Sequence, residues 1–234
     1  MKYLSSFLFL LLTVAVSLQA ETRMTIRNNN FDFGYMPQQA TVSYEFWLIS
    51  TGDDSLRIKD VKPDCACTKV PLIKDIVSPG DSTGLEIIFS SKLYLKKVKK
   101  SVGIISNATP RVDHIKFRAF VIKNVDLLYP LNFKPFMLNL TQFTKKINDK
   151  ATFQITNSSS EKLNIEIIYS PDDYFELSIP ASIEAGETVK AELKIKVEKL
   201  KESFKKSFTF EVNDKKKSRF TIPVEREVRL FDEE

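Results

Sequence analysis

Histidine is nearly missing from this chain: His114 is the only one among 234 residues. A hydrolytic triad would have a single candidate base, and no G-x-S-x-G elbow offers a nucleophile, so conventional serine or cysteine hydrolysis has little basis. Glycine is scarce as well, with six residues and no cluster. That removes the Gly-rich loop on which phosphate-cradling sites are built. Cysteine occurs only twice, at Cys65 and Cys67. Beyond residue 20 there is no apolar run of the roughly 20 residues that a spanning helix needs, so no transmembrane segment is expected there. Charge of one sign is not dominant either: the formal net charge is +5. With no nucleic-acid motif to accompany it, nucleic-acid binding is not expected.

What is present begins with an address. Lys2 precedes an apolar run from Phe7 to Leu18, and Ala20 is a small residue suited to cleavage before Glu21. This pattern predicts a cleaved signal peptide over residues 1–20 and a mature protein that is periplasmic or secreted. No cysteine lies near the expected cut, so a lipid anchor is not indicated.

The mature chain is organised around Phe46 to Phe89. A strand at Phe46–Ile49, a polar turn at Ser50–Asp54 and a second strand at Leu56–Val61 lead into Asp64-Cys65-Ala66-Cys67-Thr68. A loop then ends at Ser78-Pro79-Gly80-Asp81 before a strand at Leu85–Phe89. Thr41–Phe46 and Lys190–Val197 alternate polar and apolar, the period-two signature of a half-buried strand. Short segments of this kind, separated by Asn, Asp, Ser, Gly and Pro, predict an all-β chain of sandwich type. Only Val197–Phe204 invites a helical reading, and it is short and uncapped.

A repeat divides the chain. Thr51 and Asn157, Gly80 and Gly186, and Asn107 and Asn213 are each 106 residues apart. Three landmarks at one offset predict two tandem β-sandwich domains, over 21–124 and 125–234, joined near Lys123–Pro130.

The charged side chains have ordinary explanations. Lys96, Lys97, Lys99 and Lys100, like Lys215–Lys217, fit a solvated strand edge or hairpin tip, where lysine discourages edge pairing. Asp53–Asp54 and Asp172–Asp173 fit turns, in which the acids bond their own backbone. Asn107, Asn139 and Asn157 match the glycosylation pattern, but Asn107 and Asn157 are better read as turn residues. Trp47, beside Phe46, is expected in the core.

These residues carry a resemblance. Phe31-Asp32-Phe33-Gly34, Phe46, Ser50–Asp53, Leu56, Cys65-Ala66-Cys67-Thr68, Pro79-Gly80-Asp81, Leu85–Phe89 and Ser106-Asn107 together cover about 30–122. In order and spacing this stretch resembles the bacterial exported family called domain of unknown function 1573. Its immunoglobulin-like fold is similar to that of ASPM–SPD-2–Hydin and major-sperm-protein domains. The resemblance implies fold and export and transfers no catalytic residues. Two departures stand out: Ala66 where the family usually has glycine, and Leu93-Tyr94-Leu95 where it has a Gly-containing hairpin.

Cys65 and Cys67 are the sharpest chemical feature, and three readings stay open. In an extended strand their Cα atoms would lie about 7 Å apart, so a disulfide requires a turn at Ala66. As thiolates they would suit copper(I) or zinc, with His114, Met24 or Met36 as further ligand candidates. As a redox pair they lack the usual two-residue spacer. The expected function is a non-catalytic interaction or structural protein of the bacterial cell envelope, with no cofactor and other envelope proteins as partners. The alternative is envelope metal binding or thiol redox at Cys65-Ala66-Cys67.

Overall fold

The computed structural model describes residues 21–143 and 147–229, so the expected signal peptide lies outside the described residues. The first half supplies β1 (Met24–Arg27), β2 (Asn30–Pro37), β3 (Thr41–Ser50), β4 (Leu56–Pro63), β5 (Thr68–Lys69), β6 (Ile76–Val77), β7 (Ser82–Ser90), β8 (Lys96–Ser106) and β9 (Val112–Ile122). A 3-10 turn at Val125–Leu127 leads into the second half. There follow β10 (Leu131–Lys134), β11 (Leu138–Asn139), β12 (Lys150–Asn157), β13 (Leu163–Tyr169), β14 (Phe175–Ser178), β15 (Ser182–Ile183), β16 (Thr188–Ile195), β17 (Phe204–Val212) and β18 (Arg219–Arg226). The fold is all-β and immunoglobulin-like. The helical invitation after Val197 amounts to one 3-10 turn, Val197–Lys199.

Each half is a sandwich with the same wiring. One sheet runs β1-β3-β7-β5 and faces β2-β9-β8-β4-β6; in the second half β10-β12-β16-β14 faces β11, β18, β17, β13 and β15. Period-two alternation builds the cores. In β7, Leu85, Ile87 and Phe89 are wholly buried. They pack with Phe33, Phe46 and Leu48 in one cluster, while Phe133, Phe153, Phe208 and Phe210 centre the other. Trp47 departs from expectation. Phe46 and Leu48 take the core-facing positions of β3, so Trp47 between them stands on the outer face, 40% exposed, across from Gly84.

The repeat is a physical equivalence. Gly80 donates to the Ser50 carbonyl at 2.9 Å and Gly186 to the Asn157 carbonyl at 3.0 Å. Both glycines sit in the left-handed region, at φ +79° and +74°. The Asn107 side chain accepts from the Arg57 amide at 2.7 Å, and the Asn213 side chain accepts from the Asn164 amide at 2.7 Å. The structure corrects one landmark: Ser50, the last paired residue of β3 and fully buried, holds the place of Asn157, not Thr51.

The two sandwiches share a sheet. β18 carries β11 along its C-terminal half, at Val224–Glu225, and meets β2 at Phe220, opposite Tyr35. This joins the facing sheets into one ten-stranded surface. β2 runs parallel to β9 with an irregularity between Asp32 and Tyr35. Gly34 lies there at φ +62°, and a Cβ on it would fall 2.1 Å from the Arg219 carbonyl oxygen. The Thr221 hydroxyl donates to the Phe33 carbonyl at 2.5 Å.

Buried contacts flank this seam. Ser43 sits on the nominal solvent face of β3, yet it is fully buried because β17 covers it. Its amide donates to Ser207 Oγ, and Ser207 Oγ donates to the Ser43 carbonyl, both at 2.9 Å. Tyr169 of the second half packs at a tilt against Tyr44, with centroids 4.7 Å apart, and lies on the first core. Tyr35 of the first half stacks on Phe220 at 5.4 Å and packs on the second core. Lys206 bonds Glu86 across the seam at 2.7 Å, with both side chains largely buried.

Within the second half, Arg226 is 1% exposed. Its guanidinium donates to the carbonyls of Leu140, Asn148 and Leu200 and to Gln142 Oε1. Four acceptors offset much of the cost of burying that charge. The clamp ties Leu140, Gln142 and Asn148, between β11 and β12, to Leu200 in the loop before β17.

Two predictions follow from the seam. Gly34→Ala forces a left-handed backbone on a residue that resists it and drives its Cβ into Arg219. It should lower unfolding stability by at least about 1–2 kcal/mol, measured by urea denaturation. Glu45, beside Tyr169, has its carboxyl pushed above the ordinary range, chiefly by burial and then by Glu86, with Lys206 opposing. An acid raised in the folded state loses stability as pH rises from its unfolded value through its folded one. Glu45→Gln should therefore raise Tm at neutral pH, and the gain should vanish as pH falls below about 4.3.

Candidate functional site

The cysteines sit where the chain leaves one sheet for the other. The last ties of β4 to β8 are made by Asp64: its amide donates to the Ser101 carbonyl at 3.1 Å, and its carboxylate accepts from the Ser101 amide at 2.9 Å. The chain then turns sharply, Thr68 N donating to the Cys65 carbonyl at 3.2 Å. β5 follows at once and pairs with β7 in the opposite sheet. The turn brings the Cα atoms of Cys65 and Cys67 to 5.2 Å, and the two sulfurs are bonded as a disulfide. Ala66 is not among the positive-φ residues, so this turn accommodates alanine without a left-handed backbone.

The bridge is well packed. Cys67 is 8% exposed and belongs to the first core. Thr68 Oγ1 lies 3.6 Å from Cys65 Sγ and 3.7 Å from Cys67 Sγ, and the Tyr94 hydroxyl lies 3.6 Å from Cys67 Sγ. Lys100 in turn lies over the Tyr94 ring at 5.2 Å. Tyr94 thus links the disulfide to the lysine run, a partnership that the sequence did not single out.

With the sulfurs joined, neither is a thiolate that could bind metal or attack an electrophile. The other ligand candidates lie apart from them. His114 is exposed on β9, paired with Gly103 in a register that meets β4 at Lys62. Met36 is fully buried in the core, and Met24 packs against it from β1. Among the described residues no three His, Cys, Asp or Glu side chains converge on a metal-sized site.

Two grooves flank the turn. One, of about 690 Å³, lies between the sandwiches, with Ala66, Cys67 and Lys92 on one wall and Phe204, Lys205 and Glu225 on the other. The second, of about 640 Å³, runs over the outer face of β2, β9 and β8. Lys99, Lys100, Lys116, Arg118 and Arg219 line it, against Asp32 and Asp64. Asp32 is bound to Arg118 at 2.7 Å, and Arg219 to Glu211 at 2.7 Å. The groove is therefore cationic. The other lysine run, Lys215–Lys217, lies at the hairpin turn between β17 and β18.

A search of curated proteins returns no match. Among solved structures, a protein of unknown function from Porphyromonas gingivalis W83 is similar at 13% identity, over 86% of this chain and 99% of that one, with a TM-score of 0.35. The seventh ASH/PapD-like domain of human CEP192 is similar at 12% identity, over 44% of this chain and 88% of that one, with a TM-score of 0.36. The resemblance carried by Phe31–Gly34, Cys65–Thr68 and Pro79–Asp81 is met by a family model. Residues 24–121, the first sandwich, match the family described as Protein of unknown function (DUF1573).

Proposed function

We propose that this is an exported, non-catalytic interaction module of the bacterial cell envelope, periplasmic or secreted. The observation that carries the reading is the state of its sharpest chemical feature: Cys65 and Cys67 are spent on each other in a turn that steers the chain between sheets. A disulfide used in this way belongs to an oxidising compartment, which agrees with the export signal read at residues 1–20. Other envelope proteins are the partners. They would add a strand to an exposed sheet edge or enter the groove between the sandwiches.

One observation favours a second reading: Cys67 lines the groove between the sandwiches. A partner dithiol that reached it there could attack Cys67 Sγ, resolve the mixed disulfide with its second thiol and leave as a disulfide itself, and the reduced Cys65–Cys67 pair would offer two soft ligands to copper or zinc.

Intact mass after alkylation without reduction, on protein exported to an oxidising compartment, separates these readings. We expect no alkyl group and a mass two hydrogens below that of the reduced chain; two alkyl groups would overturn the closed turn. Changing Cys65 and Cys67 to Ser should cost about 1–2 kcal/mol, because so short a loop gains little from closure. Partner binding should survive the change. Stoichiometric metal in the isolated protein, lost in the double variant, would favour the second reading.

A further inference from the structure

The disulfide turn has a consequence for the neighbouring strand. β4 accompanies β8 only from Ser106 back to Val102, and Asp64 closes the ladder on Ser101. Past that point the chain turns away, while β8 continues to Lys96 with β9 on its other side. The Ser101 amide and carbonyl both face the β4 side. Backbone groups alternate sides along a strand, so those of Lys99 and Lys97 face the same way. Among the described residues no backbone hydrogen bond meets them there.

This opening differs from the sheet margins. The terminal strands β1, β10 and β14 have four residues each, and β5, β6 and β15 have two. The open part of β8 is as short, running from Lys97, since Lys96 is left-handed at φ +62°, to Lys100, but unlike those margins it lies inside the sheet order and borders the cationic groove. Lys97 and Lys99 project from its outer face, both exposed. Just before it, Leu93 is 80% and Leu95 50% exposed.

Resting on the interaction-module reading, we infer that β8 from Lys97 to Lys99 is a docking edge for an extended acidic peptide segment, which pairs with the open backbone groups. Side chains on one face of a strand recur about every 6.8 Å. Acids at alternate positions of the incoming segment therefore fall beside Lys97 and Lys99. An apolar residue at the segment's end covers Leu95, and the Asp64 carboxylate repels acids carried past Ser101, which sets the register. The same lysines disfavour pairing of this edge with a second copy, since like charges would be brought together. They guard the edge against self-association and select the opposite charge.

The test uses the full mature chain and a short synthetic peptide of alternating Glu and Val flanked by Leu. We expect saturable binding that weakens with salt, with the Lys97 and Lys99 amides protected from hydrogen exchange. Lys97→Glu with Lys99→Glu should weaken it about tenfold or more. Lys99→Pro removes the outward-facing donor as well as the Lys99 charge, so it should keep the native melting curve and lose more binding than Lys99→Ala, which removes the charge alone. A peptide N-methylated at alternate residues retains its charge but loses the ladder, and it should bind about tenfold or more weaker. Absence of binding would overturn the proposal. So would equal affinity for the N-methylated peptide, or equal competition by dextran sulfate without amide protection, either of which would mean charge attraction alone. None of these failures touches the module reading, which rests on the closed disulfide and is tested by alkylation.

Discussion

The close approach of Gly34 to the Arg219 backbone is the constraint on which the rest of the molecule depends. It lets β2 lie against β18 while remaining paired to β9, so that one short segment belongs to the sheets of both sandwiches. Tyr35 and Tyr169 then reach across in opposite directions, each completing the other half's core. Ser207 Oγ pairs with the Ser43 backbone and Lys206 with Glu86 across the seam, while Ser43 Oγ is buried there without a hydrogen bond among the described residues. A seam of this kind is costly to open, because it exposes to water the apolar surface that Tyr35 and Tyr169 cover.

Much of the fold was legible in the residues because the repeat is enforced by backbone geometry. Gly80 and Gly186 adopt the same left-handed turn, and Asn107 and Asn213 cap the same strand, so their common spacing records a shared structural need. Alternation predicted the strand faces of β3 and β16 for the same reason. It failed at Ser43, whose polar face is covered by the other sandwich, and at Trp47, where residue size suggested the core but the parity of the strand pointed outward.

The candidate site was legible only in part. The need for a turn at Ala66 followed from strand geometry, and the structure has that turn and the bond it permits. That the turn also ends β4 early, leaving β8 open beside the lysines, depends on which strands pair, and no local pattern encodes this. Tyr94 beside Cys67 and the Arg226 clamp are similar cases. Their partners lie far off in sequence, so each residue looks ordinary until the sheets are assembled.

Residual dipolar couplings from backbone amides of both sandwiches, measured in one weakly aligning medium, test the shared sheet most directly. The seam through Gly34 and Arg219 predicts that all couplings fit a single alignment tensor with one magnitude. Two tensors of different magnitude would mean that the sandwiches reorient independently, and would contradict the continuous sheet.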